Sequence, residues 1–353
     1  MHRNEPATIF AHLSGHARNV GDSALRREYL SSLRSTNRSL VIWTGTPKSG
    51  YTAGLGLTEH DTEYSKFIRW YLAALNSAWR GHSCIALNAG EYTLSPRYIL
   101  INLLLLPLCL ITRIRRGTVL WLGAAVPEVK LGRTWIYAAL ARMASLAKWR
   151  DIHTPKIMPT SETMPDWAFK VCSGLADSNR DLLTVSLRGD RSKPDLEWVT
   201  EVRTTADRLG LKVAVACQVK EDMDLSRDLA TALDAIHVGW NSDNHYNQEF
   251  QVRSIYRRSA LVISDRLHCL IMAATEGAAP AAWGPTASIK IARHLPHLGF
   301  TWVSPPASGP SAALRTLSPS VISNLCVETS AIVKRLQDEL RAVDLEISRS
   351  LRK

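Results

Sequence analysis

Twice along the chain, short apolar runs alternate with longer amphipathic stretches, and this alternation restricts the fold more than any other feature. In the first half, residues 39–44 (SLVIWT), 84–88 (CIALN) and 118–123 (TVLWLG) read as buried strands, with helices at 61–79 and 96–111. Strands that are apolar on both faces and separated by helices belong to a parallel sheet covered on both sides. The pattern breaks over residues 155–165, rich in Pro, Ser and Thr, and then restarts. Strands are expected at 182–186, 212–217, 235–238, 261–264 and 279–283, with helices at 195–209 and 225–233. A polar helix over 327–350 closes the chain. With 353 residues there is room for two cores. The expected fold is α/β, two facing Rossmann-like doubly wound domains with a cleft between them. The boundaries fall at 1–170, 171–325 and, for the last helix, 326–353. Ligands of such sheets sit beyond the carboxyl ends of the strands, so the loops after strands are where chemistry is sought.

Composition narrows the partners. Hydrophobic residues make up 46% and charged residues 21%, a soluble globular balance. Basic side chains outnumber acidic ones by 43 to 32, a formal charge of +11, which favours an anionic partner. The basic residues are scattered through both halves without an aromatic-interleaved stripe, so no nucleic-acid partner is expected. Cys84, Cys109, Cys172, Cys217, Cys269 and Cys326 lie far apart among apolar neighbours, which reads as buried free thiols in a reducing compartment. Residues 1–12 have no long apolar core, so no secretory leader is read there. The expected location is cytoplasmic, with the inner face of the membrane left open by one segment. Residues 98–111 (YILINLLLLPLCLI), followed by Arg113, Arg115 and Arg116, are too few to span a bilayer, which takes ~20 apolar residues. A buried helix is the leading reading and an element lying on a membrane surface the other.

The densest local signal is residues 260–277, ALVISDRLHCLIMAATEG. A buried strand ends at Ser264, Asp265 suits a helix N-cap, and Arg266 and His268 fall in the first turn. Unpaired amides and about half a positive charge make a helix N-terminus favourable for an anion. These residues alone read equally well as an ordinary capped helix. Two further segments add to them. Residues 184–190 (TVSLRGD) deliver Arg188 just past a strand, and residues 285–295 (PTASIKIARHL) put Lys290 in the first turn of a helix, where the dipole disfavours a cation unless an anion intervenes. Arg188, Arg266 and Lys290 could therefore surround one anionic ligand from three loops.

Taken together, these segments resemble the polysaccharide pyruvyl transferases. The strand, [ST]-D-R-L-H, apolar helix and later lysine match that family's C-terminal signature. Asn19-Val20-Gly21-Asp22 resembles its N-x-G-D element and residues 123–127 (GAAVP) its G-x-x-x-P turn. Arg150-Asp151 resembles its R-D pair, residues 165–169 its P-D-x-x-F element, and Ser186-Leu187-Arg188 its S-x-R strand end. The match runs in order to about Phe300. It departs where the family's glycine-rich loop is expected, because Asn88-Ala89-Gly90-Glu91 holds a single glycine.

The resemblance implies a GT-B-like architecture and transfer of a pyruvyl group from phosphoenolpyruvate onto a sugar or glycan, including a lipid-linked one, to form a ketal. It implies donor binding by Arg188, Arg266 and Lys290, with His268 as general acid. Asp22 is the candidate base and Asn19 orients the acceptor. A helix cap is the competing reading of Asp22, and Asp166 and Asp190 read as structural. No metal and no cofactor beyond phosphoenolpyruvate as co-substrate are expected. Two alternatives stand. One is a nucleotide-sugar glycosyltransferase, to whose E-G-x-P segment residues 276–280 (EGAAP) are faintly similar, although the second glutamate expected later is Gly284. The other is a non-catalytic family member at a membrane surface.

Overall fold

Ile9, Ala11, Ile42, Cys84 and Ala86 are completely buried because they form the middle of a parallel sheet. The computed structural model describes residues 8–45, 49–81, 83–93, 95–126, 134–171, 179–283, 287–303 and 309–352. In the N-terminal half the order is β1 (Ile9–His12), α1 (Val20–Arg34), β2 (Leu40–Trp43), α2 (Ser49–Gly54), β3 (Thr62–Tyr64), α3 (Phe67–Arg80) and β4 (Cys84–Ala86). There follow β5 (Gly90–Glu91), α4 (Pro96–Ile114), β6 (Thr118–Ala125), α5 (Trp135–Met143), β7 (Leu146–Trp149) and α6 (Thr154–Ile157). The strands pair in the order β3-β2-β1-β4-β6-β5, with β7 also on β6.

The second half runs β8 (Leu182–Ser186), α7 (Leu196–Leu209), β9 (Lys212–Ala216), α8 (Met223–Leu233), β10 (Ile236–Val238) and α9 (His245–Arg258). It continues with β11 (Ser259–Ser264), α10 (Leu267–Thr275), β12 (Ala279–Ala282), α11 (Ala287–His294), α12 (Pro310–Arg315) and α13 (Pro319–Ser350). Its sheet is β10-β9-β8-β11-β12, again parallel. In each sheet the first strand lies inside and the order reverses beside it, which opens a crevice at the carboxyl ends. The two crevices face each other.

The halves share a core. Tyr29 and Leu30 of α1, Trp167, Leu270 of α10, Phe300 and Leu336 of α13 belong to one apolar cluster that crosses the boundary. α13 returns to the first domain and is held there by Lys148 on Glu346 (2.8 Å) and Lys170 on Asp344 (2.6 Å).

Several expectations need correction. β1, the centre of its sheet, is missing from the strand list read from the sequence, and β3 lies inside a stretch read as helix. α9 is a further helix, and α13 starts at Pro319. Gly123 does not begin a turn. It stands within β6 at φ +74, beside a register shift, and the Trp167 ring occupies the space where a Cβ would lie. Neither Asp22 nor Asp265 caps a helix. Asn19 caps α1 through its Oδ1 on the Gly21 amide (3.0 Å), and α10 begins after Arg266. The apolar run forms α4, but only 33% of its most apolar stretch is buried. Cys84, Cys109, Cys217 and Cys269 are buried free thiols and Cys326 is partly exposed. Burial pushes Cys109 and Cys217 up to about 12, far from thiolate chemistry. Cys172, Pro127, Gly284 and Pro285 lie outside the described residues.

Candidate functional site

The loop after β1 reaches across the cleft. Val20 donates its amide to the Gln218 carbonyl (3.4 Å) and Lys220 donates to Arg18 (3.0 Å), which ties the start of α1 to the loop after β9. Because α1 begins here, Asn19, Gly21 and Asp22 are presented to the second domain. Asp22 accepts from the His16 amide (2.9 Å), lies 3.4 Å from Asn19 Nδ2, and is 3.8 Å from Arg26. Burial works to raise its carboxyl, but Arg26 and then His268 outweigh burial and hold it below the usual range.

The second domain contributes from three strand ends. Arg188 follows β8, Arg266 and His268 follow β11, and Lys290 stands on α11 beyond β12. Each cation has a carboxylate partner. Arg188 forks onto Asp190 (2.8 and 2.6 Å), and Arg266 forks onto the buried Asp222 (both 2.5 Å). Lys290 is paired with Glu91 of β5. Asp265 accepts from the Arg188 amide (2.9 Å), and burial raises its carboxyl despite the surrounding arginines. The Arg266 amide is taken by Ser264 Oγ (3.0 Å).

His268, almost fully buried, has Arg150 Nη1 at 3.3 Å and Asp166 Oδ2 at 3.6 Å from its Nε2. Arginine only donates and a carboxylate only accepts, so Nε2 serves as acceptor toward Arg150 or as donor toward Asp166, according to the tautomer. Asp166 in turn binds Arg150 (2.5 Å) and accepts from the Ala168 amide (2.9 Å). Burial would raise the Asp166 carboxyl, but Arg150 and then His268 hold it well below its ordinary value. Glu91 gathers Lys290 and Arg293, with Arg150 at 3.7 Å. Against the upward push of burial, Lys290, Arg150 and Arg293 bring it down to about 2.

All six residues singled out in the sequence, Asn19, Asp22, Arg188, Arg266, His268 and Lys290, line one cavity of about 220 Å³. Arg26, Arg150 and Glu91 line it too and received no chemical role in the sequence reading. Arg150 follows β7 directly, so the logic that picked Arg188 could have picked it. The cavity adjoins a wider one of about 840 Å³, to which His16, Tyr92, Thr93, Arg188 and Lys290 contribute. Among the described residues no group of three His, Cys, Asp or Glu side chains is placed to hold a metal ion.

No protein-family model and no curated protein sequence matches the chain. Solved structures do match in fold. A Rickettsia africae glycosyltransferase superposes with a TM-score of 0.59 at 11% identity, covering 99% of this chain and 100% of that one. Phytolacca americana UGT2, solved with UDP-2-fluoro-glucose and pterostilbene, gives 0.55 at 9% identity, covering 98% and 100%. A Listeria monocytogenes protein described as a UDP-N-acetylglucosamine 2-epimerase gives 0.53 at 9%, covering 93% and 90%. The chain has a GT-B fold. Identities this low fix the architecture, and chemistry has to be argued from the site.

Proposed function

We propose that the chain is a pyruvyl transferase that moves the pyruvyl group of phosphoenolpyruvate onto a sugar hydroxyl pair and releases phosphate. The observation that carries this reading is the cavity itself: Arg188, Arg266, Arg150 and Lys290 converge there with His268, although they come from four separate strand ends. A ligand with both a carboxylate and a phosphate suits such a set, because guanidinium forks match planar anions. At about 220 Å³, the inner cavity is smaller than the ~300–1,000 Å³ of pockets for larger ligands. The wider outer space suits a glycan.

In this reading His268 delivers a proton to the methylene carbon, with Asp166 stabilising the imidazolium. Two hydroxyls add to the enol carbon as the phosphate ester bond breaks. One hydroxyl proton is balanced by the new methyl group and the other leaves on phosphate. Asp22 is the base for the first hydroxyl, and Asn19 orients the sugar. Arg266 is held ready by Asp222, and the donor has to compete with Glu91 for Lys290.

A nucleotide-sugar glycosyltransferase is the second reading, and it is favoured by the UDP-sugar named with the Phytolacca structure. The shared fold supports a transferase with a sugar partner in both readings. The Glu276 that suggested this alternative is buried and bonded to Arg253 (3.0 Å) and Arg257 (3.1 Å), and it does not line the cavity. Among the described residues, the inner cavity also has no Trp, Tyr or Phe on which a base could stack. Incubation with phosphoenolpyruvate and a panel of galactose, mannose, glucose and glucuronate glycans separates the two. A pyruvyl mass gain with phosphate release supports the first, whereas binding of UDP-sugars without phosphoenolpyruvate supports the second.

A further inference from the structure

α3, α4 and α5 lie side by side over one face of the first sheet. Trp70, Ile101, Leu105 and Leu140 turn inward to its core. The opposite side of the same helices carries Leu72, Trp79, Leu100, Leu110, Ile114 and Trp135, each more than half exposed. On α4 the exposed apolar residues follow helical spacing, so they share a face. None of the three helices contains an acidic residue, while Arg69, Arg80, Arg115, Arg116 and Arg142 are exposed on or just after them. A surface of leucines and tryptophans interspersed with arginines, and without a carboxylate on its helices, is complementary to one kind of partner: acyl chains beneath anionic headgroups.

We propose that this face docks on an anionic lipid bilayer. α4 does not cross it. Its inner side is part of the domain core, so the helix lies along the surface. The face also adjoins the site. Thr93 lines the outer cavity, its carbonyl accepts from Tyr137 of α5 (2.9 Å), and α4 begins at Pro96 with Ser95 as its cap. Docking therefore brings the cavity's rim to the headgroup level. Resting on the function proposed above, the acceptor is then a glycan carried on a lipid in that bilayer.

The test is co-sedimentation of the full chain with vesicles of phosphatidylcholine, alone or mixed with phosphatidylglycerol, at low and high salt. The expected result is binding to the mixed vesicles that falls with salt. Replacing Arg80, Arg115 and Arg116 by Gln weakens partition roughly a hundredfold, and Leu100→Glu with Leu110→Glu abolishes it. Thermal melting shows whether each variant is folded; the arginine variant alters only exposed side chains and keeps the test open if the leucine variant fails to fold. Equal binding to neutral vesicles, no binding, or a solution dimer lost in the leucine variant overturns the proposal. Vesicle binding does not depend on pyruvyl transfer, so failure of one leaves the other standing.

Discussion

Gly21 and His268 come from different domains and touch so closely that a Cβ on Gly21 would lie 2.5 Å from His268 Cβ and 2.7 Å from Nδ1. The glycine of the N-x-G-D element is thus explained by an approach between domains. Alanine would favour α1 locally by about 1 kcal/mol, yet it would push the imidazole out of place. Gly21→Ala is expected to lower turnover roughly a hundredfold with a smaller effect on donor affinity, measured by steady-state phosphate release beside direct binding.

His268 and Arg266 should separate kinetically. His268→Ala is expected to reduce turnover by about 10²–10⁴ while donor affinity changes little. Arg266→Ala removes a charged hydrogen-bond partner and leaves Asp222 buried without its counter-ion, so both donor affinity and melting temperature fall. Near-normal turnover of His268→Ala would remove it from the mechanism.

An ion pair across the domains sets an acid limit. Arg27 of α1 forks onto Glu249 of α9 (2.6 and 2.8 Å), and Arg253 adds a third contact (2.7 Å). Burial pushes the Glu249 carboxyl up, but Arg253 and Arg27 bring it down to about 2 from an ordinary 4.5. A carboxylate with a depressed folded pKa contributes stability above its unfolded value and loses it as pH falls through the folded one. The loss is therefore expected between about pH 4.5 and 2, on the order of 3 kcal/mol. Glu249→Gln should be less stable at neutral pH and show a flatter acid slope in thermal melts.

Donor anions are balanced by protein cations in the proposed chemistry. Treatment with a chelator is accordingly expected to leave phosphate release unchanged. Loss of activity that magnesium restores would contradict this.

Much of the fold was legible because its central strands are apolar on both faces, as in 182–186 and 261–264. β1 (IFAH) carries that mark over only four residues and was passed over, while β3 and α9 lack it. β3 (TEY) is an edge strand with its first two residues exposed. α9 buries Val252, Ile255 and Tyr256 only in its second half and fills the rest of its inner face with Gln248, Glu249 and Arg253, held by ion pairs and hydrogen bonds, so its apolar stripe is too short for hydrophobic periodicity to mark a helix. At the site, cations placed just after strands could be read directly. Glu91 and Asp166 could not, because their meaning depends on Lys290 and His268, which lie far along the chain.

The central claim is that cations from separate loops hold one small anion. Calorimetric titration with phosphoenolpyruvate, on the natural chain and on Arg188→Ala, Arg266→Ala and Lys290→Ala, tests it most directly. Saturable binding weakened in all three variants is the predicted result. No binding of phosphoenolpyruvate, or tight binding of a UDP-sugar in its place, would contradict it.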